Sequence, residues 1–118
     1  MTKGVKLPKK IKVGAHTYDV VFPHNFREVD GYMGLHDPLA RRILIADCDF
    51  GGSKRKDADV LKTFIHEIIH AVDNVYLKDR LNDEDDYERI VDSLAEGLTQ
   101  VLLDAKLLKV PTQRKGSK

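Results

Sequence analysis

A chain of 118 residues with 20 Lys and Arg against 19 Asp and Glu has room for one hydrophobic core, and its net charge of +1 argues against a nucleic-acid-binding role. Its one cysteine, Cys48, excludes an intramolecular disulfide and fits a reducing cytosol. No leader pattern opens the chain and no apolar run approaches about 18 residues, so a soluble cytoplasmic protein with no membrane partner is expected.

Residues 1–10 and 109–118 are basic (Lys3, Lys6, Lys9 and Lys10; Arg114, Lys115 and Lys118) and are expected to be flexible tails around a single domain at 11–108. Residues 11–13 and 16–22 alternate apolar and polar around Gly14-Ala15, which predicts a hairpin that Pro23 ends. The stretch from Asn25 to Gly31 has no clear pattern. Residues 32–36 are expected to be extended, with a turn at Asp37-Pro38. Arg42 to Asp47 is the most apolar strand, central or packed directly on helices, and a polar loop follows to Lys56.

Asp57 or Asp59 is expected to cap the first helix. Leu61, Phe64, Ile65, Ile68, Val72 and Val75 then recur at helical spacing to about Leu77. A polar connection leads to a second helix from about Glu84 to Leu108, limited by Pro111. Tyr87, Ile90, Val91, Leu94, Leu98, Val101 and Leu102 form its expected core stripe. The fold class this predicts is α+β: a small antiparallel or mixed sheet followed by two long helices packed as an antiparallel hairpin.

Within the first helix, residues 66–70 read His-Glu-Ile-Ile-His. Positions i and i+4 of an α-helix differ by about 6 Å of rise and about 40° of rotation, so His66 and His70 leave the same face. Two imidazoles suit Zn²⁺, and Glu67 beside them is placed to act as general base on a water at the metal's open side. Catalytic zinc usually takes a third protein ligand. The second helix offers Glu88, Asp92 and Glu96 at i+4 spacing. His70 lies about 12 Å before the end of its helix, and Glu88 and Asp92 bracket the matching height on an antiparallel partner. The longer reach of Glu favours Glu88, leaving Asp92 to accept the outer N–H of a ligand histidine or to serve as an alternative ligand, while Glu96 lies about a turn further.

His66-Glu67-Ile68-Ile69-His70 followed by Glu88-Arg89-Ile90-Val91-Asp92 resembles the HExxH…ExxxD pattern of gluzincin metallopeptidases. The stretch from Glu88 to Leu98 is similar to the third-ligand helix of the ImmA/IrrE-like zincins, and small HExxH proteins of phages and mobile elements look like the nearest relatives. The resemblance spans roughly residues 11–108. It implies a minimal zincin-like fold, zinc on His66, His70 and Glu88, Glu67 as base, and a phage-encoded origin with action in the host cytosol. No third histidine follows at the metzincin distance, and no DNA-binding or regulatory domain accompanies the motif.

Two readings follow. One is a zinc-dependent metallopeptidase acting on a protein or peptide that pairs with an edge strand within residues 32–36 or 42–47. The other is a non-catalytic, zinc-stabilised accessory module that binds a protein partner. Substrate, oligomeric state and physiological metal are not readable from the residues. His36 and Tyr32 are expected to be turn and sheet-packing residues, and Cys48 a small side chain without a catalytic partner.

Overall fold

The computed structural model describes residues 5–26 and 31–108. Four strands precede two helices: β1 (Lys10–Val13), β2 (His16–Val21), β3 (Gly34–Asp37), β4 (Arg42–Ile45), α1 (Asp57–Tyr76) and α2 (Tyr87–Asp104). This is the expected α+β class. The sheet is mixed, in the order β1-β2-β4-β3. β1 and β2 form the predicted hairpin, with Val13 paired to His16 across Gly14-Ala15. Gly14 takes a φ of +63°, and a Cβ there would lie 2.7 Å from Val75 Cγ1, so the turn needs glycine for its backbone and for its fit against α1.

The pairing of β2 with β4 is parallel. The chain crosses between them through β3, which pairs antiparallel with β4 from Gly34–Ile45 to Asp37–Arg42. β4 is therefore interior and buried on both faces, with Ile43, Leu44 and Ile45 all enclosed, as expected for a short continuous apolar run. β3 is the edge. Of the two segments considered for pairing with a substrate, 42–47 is ruled out because both sides of β4 are already bonded.

α1 lies across the sheet and buries Val60, Leu61, Phe64 and Ala71 against Tyr18, Ile43 and Ile45. Full burial of each large apolar side chain contributes roughly 1.5–3 kcal/mol. Neither Asp57 nor Asp59 caps this helix. Lys56 occupies the cap position without a side-chain bond, and both acids sit in the first turn, where the helix dipole favours them. The Asp57 carboxylate instead accepts the Val5 N–H at 3.2 Å. Val5 is buried and Leu7 packs on the core, so the ordered domain begins before residue 10. The expected flexibility of residues 1–4 and 109–118, the stop at Pro111 and the pattern at 27–30 lie outside the described residues.

α1 ends where Lys78 and Asp79 turn left-handed. The N–H groups of Leu77 and Asp79 both return to the Asp73 carbonyl. The buried Asp73 carboxylate accepts Leu81 N–H at 2.9 Å and Asn82 N–H at 3.1 Å, so one side chain holds the connection to α2. α2 ends in a Schellman turn, with Lys106 in the left-handed region, its N–H on Leu103 and the Leu107 N–H on Leu102.

α2 packs on α1, on the side away from the sheet, and among the described residues it touches no other element. It buries Val91, Ala95 and Thr99, while Leu94, Leu98 and Val101 of the predicted stripe are exposed, as is Val72 of the α1 stripe. The correction has a simple cause. The stripe is wider than the strip of α1 available to cover it, and the small residues Ala95 and Thr99 mark the line of closest approach. Among the described residues, no helix is long and apolar enough to cross a membrane.

Candidate metal centre

The mid-section of α1 faces a cleft of about 950 Å³ between β3, the loop before α1 and the first turns of α2. His66, Glu67 and His70 enter it from α1, Glu88 and Asp92 from α2, and Tyr32, Gly34 and His36 from the strand side. Helical geometry sends His66 and Glu67 about 100° apart. The histidines therefore face α2, and Glu67 turns toward β3.

Three donor atoms converge. His66 Nε2 and His70 Nε2 are 3.2 Å apart, and Glu88 Oε1 lies 3.2 Å from the first and 3.4 Å from the second. Ligands about 2.0–2.1 Å from a tetrahedral zinc are separated from each other by about 3.3 Å, so these three sit at the edge lengths of one coordination tetrahedron. Two neutral nitrogens and one carboxylate oxygen also form a donor set that suits zinc. His66 Nδ1 lies 3.3 Å from Asp92 Oδ1, an arrangement in which the ring donates its outer N–H to the carboxylate and keeps the Nε2 lone pair for the cleft. Glu96 stands apart from the cluster. It pairs with Lys62 at 3.4 Å, and Lys62 also reaches Asp92 at 3.6 Å.

Glu67 is nearly enclosed, at 6% exposure. Burial pushes its carboxyl up to about 8, the charge on Glu88 adds to the rise, and the His36 backbone N–H opposes it. Burial likewise lowers His70, which Glu88 partly offsets. Both shifts favour neutral groups around the three donors, and a bound cation would reverse that balance for the carboxyl.

Gly34 makes this placement feasible. A Cβ at that position would lie 2.5 Å from Thr63 Cγ2 and 2.9 Å from Glu67 Oε2, so only a glycine lets β3 pass this close to α1. A glycine within a strand is itself a sign of such close approach. His36 is not a turn residue. It lies within β3, half-buried, with Nε2 3.2 Å from the Tyr18 hydroxyl. Tyr32, expected in sheet packing, is 47% exposed and lines the cleft. Tyr87, assigned to the α2 core stripe, is also at the cleft, its ring 6.0 Å from that of His70. Arg55 braces the wall by donating to the Ala46 carbonyl at 2.8 Å and to Thr63 Oγ1 at 2.5 Å. Cys48 is partly buried in the loop before α1 and is not among the cleft residues.

Comparison with protein-family models, curated proteins and solved structures returned no match. The functional reading therefore rests on the geometry of the site.

Proposed function

We propose that this chain is a zinc-dependent metallopeptidase of minimal zincin-like type, with His66, His70 and Glu88 as metal ligands and Glu67 as general base. The observation that carries the reading is the triangle of donor atoms, with edges of 3.2, 3.2 and 3.4 Å, beside a buried carboxyl in an open cleft. Bound there, Zn²⁺ would supply a Lewis acid for a carbonyl oxygen and would acidify a water molecule. Glu67 is placed to accept the water's proton at its carboxylate and to return it to the leaving amine. Asp92 holds the His66 ring through Nδ1. A donor set of three is typical of catalytic zinc, whereas structural zinc takes four protein ligands, and this favours hydrolysis over the alternative of a zinc-stabilised binding module.

The strand edge supports a peptide as substrate. Met33 bonds β4 through its carbonyl, which accepts the Ala46 N–H at 3.0 Å. Residues alternate along an antiparallel ladder, so Gly34 and His36 turn their backbone groups outward. The His36 N–H is directed at Glu67, while the backbone groups of Gly34 turn away from β4 toward the side where an extended chain would pair.

Zinc content of the purified protein, zinc titration of the metal-free form and cleavage of a mixed-sequence peptide library read by mass spectrometry test the reading together. Wild type should take up one equivalent of zinc, and His66→Ala and Glu88→Ala should lose it. Glu67→Gln should keep the metal and lose cleavage by about 10²- to 10⁴-fold. A wild-type protein that binds no zinc would remove the site, and undiminished cleavage by Glu67→Gln would remove the assigned base.

A further inference from the structure

Glu88 holds the least secured corner of the donor triangle. It lies in the first turn of α2, and Asp86, at the cap position before it, makes no side-chain cap bond. The first N–H groups of a helix have no partner inside it, so an uncapped first turn frays unless packing holds it. The Glu88 side chain is also 61% exposed, against 17% for His66 and 15% for His70. Buried Val91 and the contact of Asp92 with His66 attach α2 to α1 about one turn further along. Something in the ligand's own turn has to fix the carboxylate.

Tyr87 is the neighbouring residue, and it meets two of the three donors. It continues the line of Val91 and Ala95 at i+4 spacing, so helical geometry carries it toward α1. Its half-buried ring lies where that line meets the cleft. There it stands edge-on to His70, with centroids 6.0 Å apart and planes at 73°, a geometry that is favourable beyond the area it buries. The phenol hydroxyl is in hydrogen-bonding contact with Glu88, where it donates and the carboxylate accepts.

We infer that Tyr87 is the positioning residue for the third ligand. Its ring docks the first turn of α2 on His70, and its hydroxyl holds the Glu88 carboxylate so that Oε1 faces both histidines. The inference rests on the metal-centre reading above and adds what joins the two helices into one site. A glutamate side chain has rotamer freedom to lose when it is ordered. With the hydroxyl in place the fold has already ordered it, and without the hydroxyl that ordering falls on metal binding and weakens it.

Zinc affinity, read by competition with a chelating dye, tests this without any substrate. Tyr87→Phe keeps the ring and removes the hydroxyl. It should weaken zinc binding about tenfold, while the melting temperature and helical circular dichroism of the metal-free protein stay unchanged. Tyr87→Leu removes both contacts. It should weaken binding further and speed amide exchange at Ile90 and Val91 in the metal-free protein. Zinc should alter the near-ultraviolet tyrosine dichroism of wild type, and the greater part of that change should be absent from Tyr87→Phe. Wild-type affinity in Tyr87→Phe, or a loss that comes only with a matching fall in melting temperature, overturns the inference and leaves the metal centre standing. Affinity in Tyr87→Leu no lower than in Tyr87→Phe removes the part given to the ring. A wild-type protein that takes up no zinc removes the metal centre and this inference with it.

Discussion

Helix α1 encloses Val60, Leu61, Phe64, Glu67, Ala71 and Asp73 between the sheet and its partner helix, whereas α2 encloses Val91, Ala95 and Thr99 and, among the described residues, contacts no strand or helix other than α1. The two helices are similar in length and amphipathic character, yet one is a structural axis and the other an outer layer. The difference bears directly on the site. His66 and His70 stand on the firmly held helix, one turn apart, and their mutual geometry is set by a single segment of backbone. Glu88 stands on the outer helix, so its place in the triangle depends on how α2 docks and on the Asp73 carboxylate that ties down the connection.

The largest expected effect tests this contrast in stability. Phe64→Ala should cost about 3–5 kcal/mol in a denaturant melt, the range for truncating a buried aromatic side chain. Leu98→Ala, on the exposed side of α2, should cost less than about 1 kcal/mol. Similar losses at the two positions would mean that α2 belongs to the same core and that the contrast is false.

A second measurement sharpens the contrast at the level of charge. In the metal-free protein the Glu67 carboxyl ionises near 8, well above the usual carboxylate range. The folded chain therefore keeps a proton that the unfolded chain loses. This stabilising contribution is constant below the ordinary carboxyl range and is lost as pH rises from there through about 8. His70, lowered by burial, works in the opposite direction and weakens the fold as pH falls. The difference between wild type and Glu67→Gln isolates the carboxyl. Wild type should lose on the order of 2–4 kcal/mol more than the variant between pH 4.5 and 8, and parallel pH profiles would show that the carboxyl is not held in a desolvated pocket.

The smallest effect concerns the outer helix. Asp92→Ala should weaken zinc binding about ten- to a hundredfold, the usual consequence of removing a carboxylate that orients a ligand histidine. Glu96→Ala, which removes only an exposed pairing with Lys62, should leave zinc affinity unchanged and stability within about 0.5 kcal/mol. Equal effects at the two positions would mean that Asp92 acts on the site through general charge and not through the His66 ring.

How much was readable beforehand follows from how local each feature is. The relation of His66 to His70 needs only helical rise and rotation. The choice of Glu88 over Glu96 needs one further assumption, an antiparallel helix pair, and the three donor atoms do come together as that assumption requires. The parallel pairing of β2 with β4 depends on a crossover that strand alternation does not encode, and the identity of the edge strand follows from it. The α2 stripe looks the same whether its own chain covers it or leaves it open, so periodicity alone assigns Leu94, Leu98 and Val101 to a core they do not enter. Gly34 was silent for a similar reason. A glycine shows that something passes close by, and its neighbours appear only in the folded chain.

The contact at Gly34 also gives the carboxyl of Glu67 a back wall. With β3 pressed against it from behind and the core of α1 beneath, solvent reaches the group from one direction only, through the cleft. Any molecule that fills the cleft therefore also stands between this acid and bulk water. Proton exchange at Glu67 should slow when an inhibitor is seated there, even an inhibitor that never touches the carboxyl itself.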